Sequence, residues 1–384
     1  MDKKIKETFK WDSYVLLRNE EISSFTKKHF TAQNGKKLLY IMGQGFDLRM
    51  NRGIQSLMQD CPELKLDCFL VEYDEGRSSS SKKYKPLVKK NVELLYSILP
   101  SPNKIIVKKI ELWSAEGKKK KRVGDQNIAD VFNDSNLFAD YTDIIVDISA
   151  LPRGIYFSLI GKIQAMLDQF YSESNKNFFI ITSENATLDS HIKEFQPDSE
   201  LSYVFGFRGG SELTSDKKQI IWLPILGEGT AHQIRAAYEK IKPNEICPVL
   251  PFPSRNARRS DALLIEYHQL LFDELNIEGQ NIIYVHEQNP FEVYRTLSQT
   301  IRDYNETLAV VKGCDIVIST FSSKLLSIGA LLCAYEFKAQ NQIKVGILNV
   351  DSSGYEIDSE AMENNIIERS ELFLIWLAGE PYNK

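Results

Sequence analysis

Five short stretches of this chain carry residues that could hold an anion or move a proton. The first is Gly43-Gln-Gly45-Phe-Asp47-Leu-Arg49-Met-Asn-Arg52. Its two glycines permit a tight turn and a close approach of backbone to a ligand. The same stretch can also serve the fold alone, with an Asp47–Arg49 or Asp47–Arg52 pair bracing the loop. The second is Asp147-Ile-Ser149-Ala-Leu-Pro152-Arg153, where Ser149 can cap a helix or bind a ligand and Arg153 can pair with Asp147. The third, Pro251-Phe-Pro-Ser254-Arg255-Asn256-Ala-Arg258-Arg259, sets three arginines on a proline-stiffened approach. Their forked donors suit phosphate or carboxylate, although a solvated charge run has the same composition. The fourth, His286-Glu287-Gln288-Asn289, places an imidazole beside a carboxylate. It is the candidate for acid–base work, weighed against an ordinary structural pair. The fifth, Ser319-Thr320-Phe-Ser322-Ser323-Lys324, offers hydroxyls and a cation at a helix start.

The elements around these stretches give them a common position. LLYIMGQGFD, LKLDCFLVEYDEG, NKIIVKKIELW, TDIIVDIS and NFFIITSEN read as five strands, with helical patterns such as LVKKNVELLYSIL between most of them. A second series follows: QIIWLPILGEG, EICPVLPFPS, NIIYVHE, CDIVISTFSSK and IKVGILNV. Alternating strands and helices predict an α/β fold with two Rossmann-like units, each a mostly parallel sheet with helices on both faces. In each unit a Gly loop follows the first strand (Gly43 and Gly45; Gly227 and Gly229), and a Ser loop ending in a cation follows the fourth (Ser149 to Arg153; Ser322 to Lys324). Ligands of open parallel sheets bind beyond the carboxyl ends of the strands, where all of these loops should lie. Backbone N–H groups and the helix dipole favour an anion there.

The expected boundaries are an N-terminal appendage over 1–36, a first unit over 37–184, a connection over 185–218 with a hairpin near YVFGFRGG, and a second unit over 219–384. GRSSSSKKYK and GKKKKR read as loops, SELFLIWLAG as a short apolar element docking on the second sheet, and Tyr355 as a ring able to stack on a base. A net charge of −5 argues against general nucleic-acid binding. Cys61, Cys68, Cys247, Cys314 and Cys333 are odd in number and lack a CxxC or metal-ligand spacing, so buried reduced thiols and no metal site are expected. Without a signal-like N-terminus or a membrane-length apolar run, a cytoplasmic protein is expected.

Two resemblances add to this. Gly43, Gly45, Asp47, Arg49 and Arg52 resemble the GxGxDxRxxR stretch of the leucine carboxyl methyltransferase-like class I methyltransferases. That resemblance spans residues 38–75 and implies S-adenosylmethionine as a possible cofactor, with Glu72 or Asp74 on its ribose. The Ser loops ending in Arg153 and Lys324 are similar in outline to the ligand loops of CARF and SAVED domains, without the usual run of two glycines, Thr and Lys. This second likeness implies a nucleotide sensor in anti-phage defence, acting on a separate effector protein. Three functions follow as expectations: a regulatory protein binding a small nucleotide or phosphate-bearing ligand; an enzyme, either a methyltransferase or a transferase or hydrolase on a phosphorylated substrate; and a scaffold without ligands. The candidate ligand contacts are Gly43, Gly45, Asp47, Arg49, Glu72, Asp74, Ser149, Arg153, Gly227, Gly229, Ser254, Arg255, Arg258, Arg259, Asn289, Ser322, Ser323 and Lys324, with His286 and Glu287 for catalysis.

Overall fold

The computed structural model describes residues 9–31, 35–74, 80–114, 121–185, 188–189, 192–194, 201–209, 218–341, 343–350, 355–357 and 369–382. Its strands are β1 (Val15–Arg18), β2 (Leu38–Gly43), β3 (Leu66–Asp74), β4 (Lys104–Glu111), β5 (Asp143–Asp147), β6 (Asn177–Glu184), β7 (Ile192–Glu194) and β8 (Ser202–Arg208). They continue as β9 (Gln219–Ile225), β10 (Glu245–Ile246), β11 (Val249–Pro251), β12 (Ile283–Val285), β13 (Cys314–Thr320), β14 (Val345–Asn349), β15 (Tyr355–Ile357) and β16 (Glu371–Ala378). The α-helices are α1 (Glu20–Thr31), α2 (Arg52–Asp60), α3 (Lys85–Ile98), α4 (Gly124–Val131), α5 (Arg153–Phe170), α6 (Ala231–Ile241), α7 (Arg259–Glu266), α8 (Pro290–Thr307) and α9 (Lys324–Gln340).

The first sheet runs β1-β16-β6-β5-β2-β3-β4 and the second β12-β11-β9-β13-β14-β8, with β10 also pairing with β9. Within each, β2 to β6 and β9, β11, β12, β13 and β14 are parallel neighbours. Taken in chain order, both sets have the same spatial order, 3-2-1-4-5. Two Rossmann-like units are therefore present, as the repeated loop order implies. Every residue of β2, β5, β13 and β14 is buried. Strands covered on both faces must be apolar on both, which explains their unbroken hydrophobic runs.

The chain divides differently from the expected boundaries. One unit takes Val15–Glu200 with Asp351–Lys384, and the other takes Leu201–Val350 with Met1–Tyr14. The apolar C-terminal element is β16, and it pairs antiparallel with β6 of the first sheet and with β1. It does not dock on the second sheet. Residues 202–208, expected near a hairpin, form edge strand β8, antiparallel to β14. The N-terminal stretch is no appendage. Residues 15–31 build the first unit, while Trp11 is fully buried in the second, its ring 5.4 Å from Tyr294. The two polar stretches fall partly outside the described residues, with Ser80–Tyr84 forming a 3-10 turn.

Candidate functional site

At the carboxyl edge of the first sheet the candidate residues bind one another. A Cβ on Gly43 would lie 2.7 Å from Leu151 Cδ2, and one on Gly45 3.2 Å from the Ala150 Cβ. These glycines accommodate the neighbouring loop. Arg49 is buried and grips Asp47 through Nε–Oδ1 at 3.0 Å and Nη2–Oδ2 at 2.8 Å, with Asp189 Oδ1 2.9 Å from Nη1. Burial opposes its charge, but the two carboxylates hold it firmly protonated. Of the two possible bracing pairs, Asp47–Arg49 forms; the Arg52 Nε is buried without a hydrogen-bond partner among the described residues. Buried Asn91 donates to the carbonyls of Gly45 (2.9 Å) and Asp47 (3.0 Å), closing the loop further.

The other first-unit candidates are likewise engaged. Ser149 is buried and does not cap α5, whose N-cap is Pro152; its Oγ accepts from the Ser183 N–H at 3.0 Å. Asp147 accepts from the Ser149 N–H at 2.9 Å and from Tyr40 Oη at 2.7 Å. Glu72 lies 3.6 Å from Lys109 of the adjoining strand. Asp47 and Arg49, shared with the methyltransferase pattern, therefore brace the loop itself. The side chain of Asp74 lies outside the described residues, as do residues 351–354 and the Tyr355 ring. Arg153 opens α5 and is half-buried. A cleft of about 460 Å³ lies beside Arg52, lined also by Glu20, Arg369 and Glu371. Its two arginines and two glutamates leave it without net charge.

The carboxyl edge of the second sheet is built differently. Gly227 serves packing: a Cβ there would sit 2.0 Å from the Phe321 carbonyl oxygen. Gly229 has φ +73° and open space around it. Its N–H donates to Glu266 Oε1 at 2.8 Å, and the Thr230 N–H donates to Tyr267 Oη at 2.9 Å. The Gly229 and Thr230 amides of this Gly loop are thus already bonded. Arg259, at the start of α7, forks onto Glu228 through Nε–Oε1 at 2.6 Å and Nη2–Oε2 at 2.8 Å. Its Nη1 donates to Glu287, and its Nη2 reaches Ser322 Oγ at 3.5 Å. One guanidinium so ties together the loops after β9, β11, β12 and β13. Burial would raise the Glu228 carboxyl, yet Arg259 holds it below its usual range.

Asn289 caps α8 by accepting from the Phe291 and Glu292 N–H groups, and its Nδ2 donates to Tyr14 Oη at 2.8 Å. It serves as the cap of this helix, with one Nδ2 hydrogen engaged by Tyr14. Ser254 Oγ donates to the Asn256 carbonyl, and Ser323 Oγ caps α9 by accepting from the Leu326 N–H at 3.4 Å. His286 does not bond Glu287; its Nδ1 accepts from the Gln288 N–H at 3.2 Å, and Glu287 is held by Arg259 and the Arg255 N–H. The expected acid–base pair is not assembled. Arg258 is exposed and Lys324 half-buried, and among the described residues neither has a carboxylate partner. They adjoin Arg259 and Ser322, which are in contact, so the two cations share one edge.

Sequence reasoning missed Asn91, Glu228 and Tyr14. Glu228 had a signal, since it lies between Gly227 and Gly229; Asn91 and Tyr14 had none. Cys61, Cys68, Cys247, Cys314 and Cys333 are buried free thiols, and no cluster of metal-ligating side chains occurs among the described residues. No described helix is long and apolar enough to cross a membrane.

No protein-family model matches the chain, and no curated protein matches it. Among solved structures it is similar to a putative universal stress protein from Pseudomonas aeruginosa UCBPP-PA14, at 10% identity over 87% of this chain and 96% of the other, with a TM-score of 0.24. It is also similar to UDP-GlcNAc 2-epimerase from Neisseria meningitidis bound to UDP-GlcNAc, at 11% identity over 74% and 77% of the two chains and a TM-score of 0.21. A third is a hexameric APS kinase from Thiobacillus denitrificans, at 11% identity over 83% and 69% and a TM-score of 0.21. Likenesses this distant carry no argument about the site.

Proposed function

We propose that this protein binds a phosphate-bearing, nucleotide-type ligand at the carboxyl edge of its second sheet, and that it works as a regulatory binding protein. One observation carries this reading: among the described residues Arg258 and Lys324 have no carboxylate partner, and they stand beside the Arg259–Ser322 contact, each next to a helix start. Cations carried to one sheet edge by separate loops offer charge-assisted donors to a shared anion. Binding is favoured over catalysis because Glu287 is already held by Arg259 while His286 faces backbone. The narrower form of the reading is a sensor in anti-phage defence that acts on a separate effector chain; its support is the outline of the Ser322 to Lys324 loop.

Calorimetry with nucleoside mono- and triphosphates and inorganic phosphate tests the reading. Charge-assisted hydrogen bonds contribute roughly 1.5–3 kcal/mol each. Replacing Arg258 and Lys324 together by Ala should therefore weaken binding about a hundredfold or more, with melting unchanged. The proposal fails if no probe binds the unaltered protein, or if the double variant binds as well as it does.

A further inference from the structure

We propose that the ligand at this edge carries an aromatic base, and that Phe252 and Tyr284 form the surface on which the base stacks. The inference rests on the phosphate reading above and names the ligand class for the same site. Phe252 is 53% exposed and Tyr284 48% exposed, while their rings contact each other edge to face, with centroids 6.1 Å apart and planes at 77°. Among the described residues this is the one pair of large, exposed aromatic rings in mutual contact. Two rings at this angle form a corner. A flat base laid on the face of one ring meets the edge of the other, a favourable arrangement for both.

The position of the corner supports a ligand role. Phe252 directly follows β11, and its N–H donates to the Val285 carbonyl at 2.7 Å, so the ring is carried by paired backbone at the strand end. Leu250 is in register with Tyr284, and Phe252 lies two residues beyond Leu250. Alternation along the strand therefore puts both rings on one face of the sheet. The strand β12 is the sheet edge, so no further strand flanks Tyr284. Phe252 opens the loop that carries Arg255 and Arg258. From β11 across β9 to β13, which leads into Lys324, is two strand spacings, or about 10 Å. A phosphate beside Arg258 and Lys324 and a base at the aromatic corner would together span that distance, as a nucleotide does and a free phosphate does not. A protein partner could also seek exposed rings, but the loop that follows Phe252 carries Arg258, and this favours a ligand with both an apolar flat part and an anion.

The test compares AMP and ATP with ribose 5-phosphate and inorganic pyrophosphate, using the full chain in calorimetry. Stacking on an aromatic ring is worth roughly tenfold or more in affinity. The nucleotides should bind at least that much more tightly than the base-free probes. Phe252→Leu and Tyr284→Leu should each narrow the gap, and together abolish it, while affinity for ribose 5-phosphate stays as it was. Both side chains are half exposed, so melting should be unchanged, which separates a lost stacking surface from a lost fold. Equal affinity of ribose 5-phosphate and AMP overturns the inference and leaves the phosphate site standing, as does a gap that survives in the double variant, for which a protein partner becomes the explanation of the exposed rings. Failure of every phosphate-bearing probe removes the phosphate site and this inference with it.

Discussion

The two sheet edges have the same strand order and opposite character. At the first, the Gly loop and the Ser loop interlock: Leu151 and Ala150 fill the space over Gly43 and Gly45, and Arg49 is enclosed by Asp47 and Asp189. At the second, Arg259 is equally well paired, but among the described residues Arg258 and Lys324 have no carboxylate partner, and Gly229 is open. Shared topology thus supplies a place for a ligand without supplying a ligand. Which edge remains able to bind depends on whether its charges are matched from within.

The opposite ends of the sheets repeat the contrast. Asp143 opens β5 fully buried, with His29 Nε2 at 2.7 Å, Asn177 Nδ2 at 3.0 Å and Lys36 Nζ at 3.6 Å. Asp315, the second residue of β13, is also buried, but its Oδ1 has no hydrogen-bond partner among the described residues. Burial raises Asp143, yet the bonds from His29 and Thr142 and the charge of Lys36 outweigh it, and the carboxyl titrates low. Burial raises Asp315, and Lys218 and Lys344 do not restore it.

The largest effect should come from Asp143→Ala. Removing one partner from a buried ion pair costs about 3–5 kcal/mol, and denaturant unfolding should show the first unit destabilised by that amount. Because the folded carboxyl is depressed, its contribution is present above the unfolded value of about 3.9 and is lost as the pH falls through the lower folded value. A cost near zero would mean that the network does not hold this unit together. Next in size, Glu228→Gln should strengthen ATP binding about tenfold, equivalent to about 1.4 kcal/mol, because the Arg259 fork is then free to meet phosphate. Unchanged or weaker binding would show that Glu228 does not compete with the ligand and that the second edge is no more available than the first. The smallest effect should be Asp315→Asn. Ionising this residue costs stability as the pH rises from the unfolded value through the raised folded one, so above that window the variant should gain up to about 1 kcal/mol. A thermal melt at neutral pH that moves downward instead would erase the contrast with Asp143.

Much of this was legible in the residues. Unbroken apolar runs in β2, β5, β13 and β14 announce strands covered on both faces, and helical periods between them announce parallel crossovers. The Asp47–Arg49 brace was legible because both partners lie in one loop. Helix starts at Arg153 and Lys324, at the ends of the two Ser loops, also agree with the local reading.

What the sequence determined is therefore local: element type, strand alternation and which residue types arrive at the carboxyl edges. The tertiary structure decided partners. An apolar strand such as β16 satisfies its period at any open edge, and only the fold assigns it to β6. Arg259 was legible as a cation, but not that Glu228 and Glu287 would come to it from two other loops. Burial and charge pairing are properties of neighbours in space, and a neighbour tens of residues away leaves no periodic trace in the chain. That is why the two Gly loops read alike while the partners that gather around them differ.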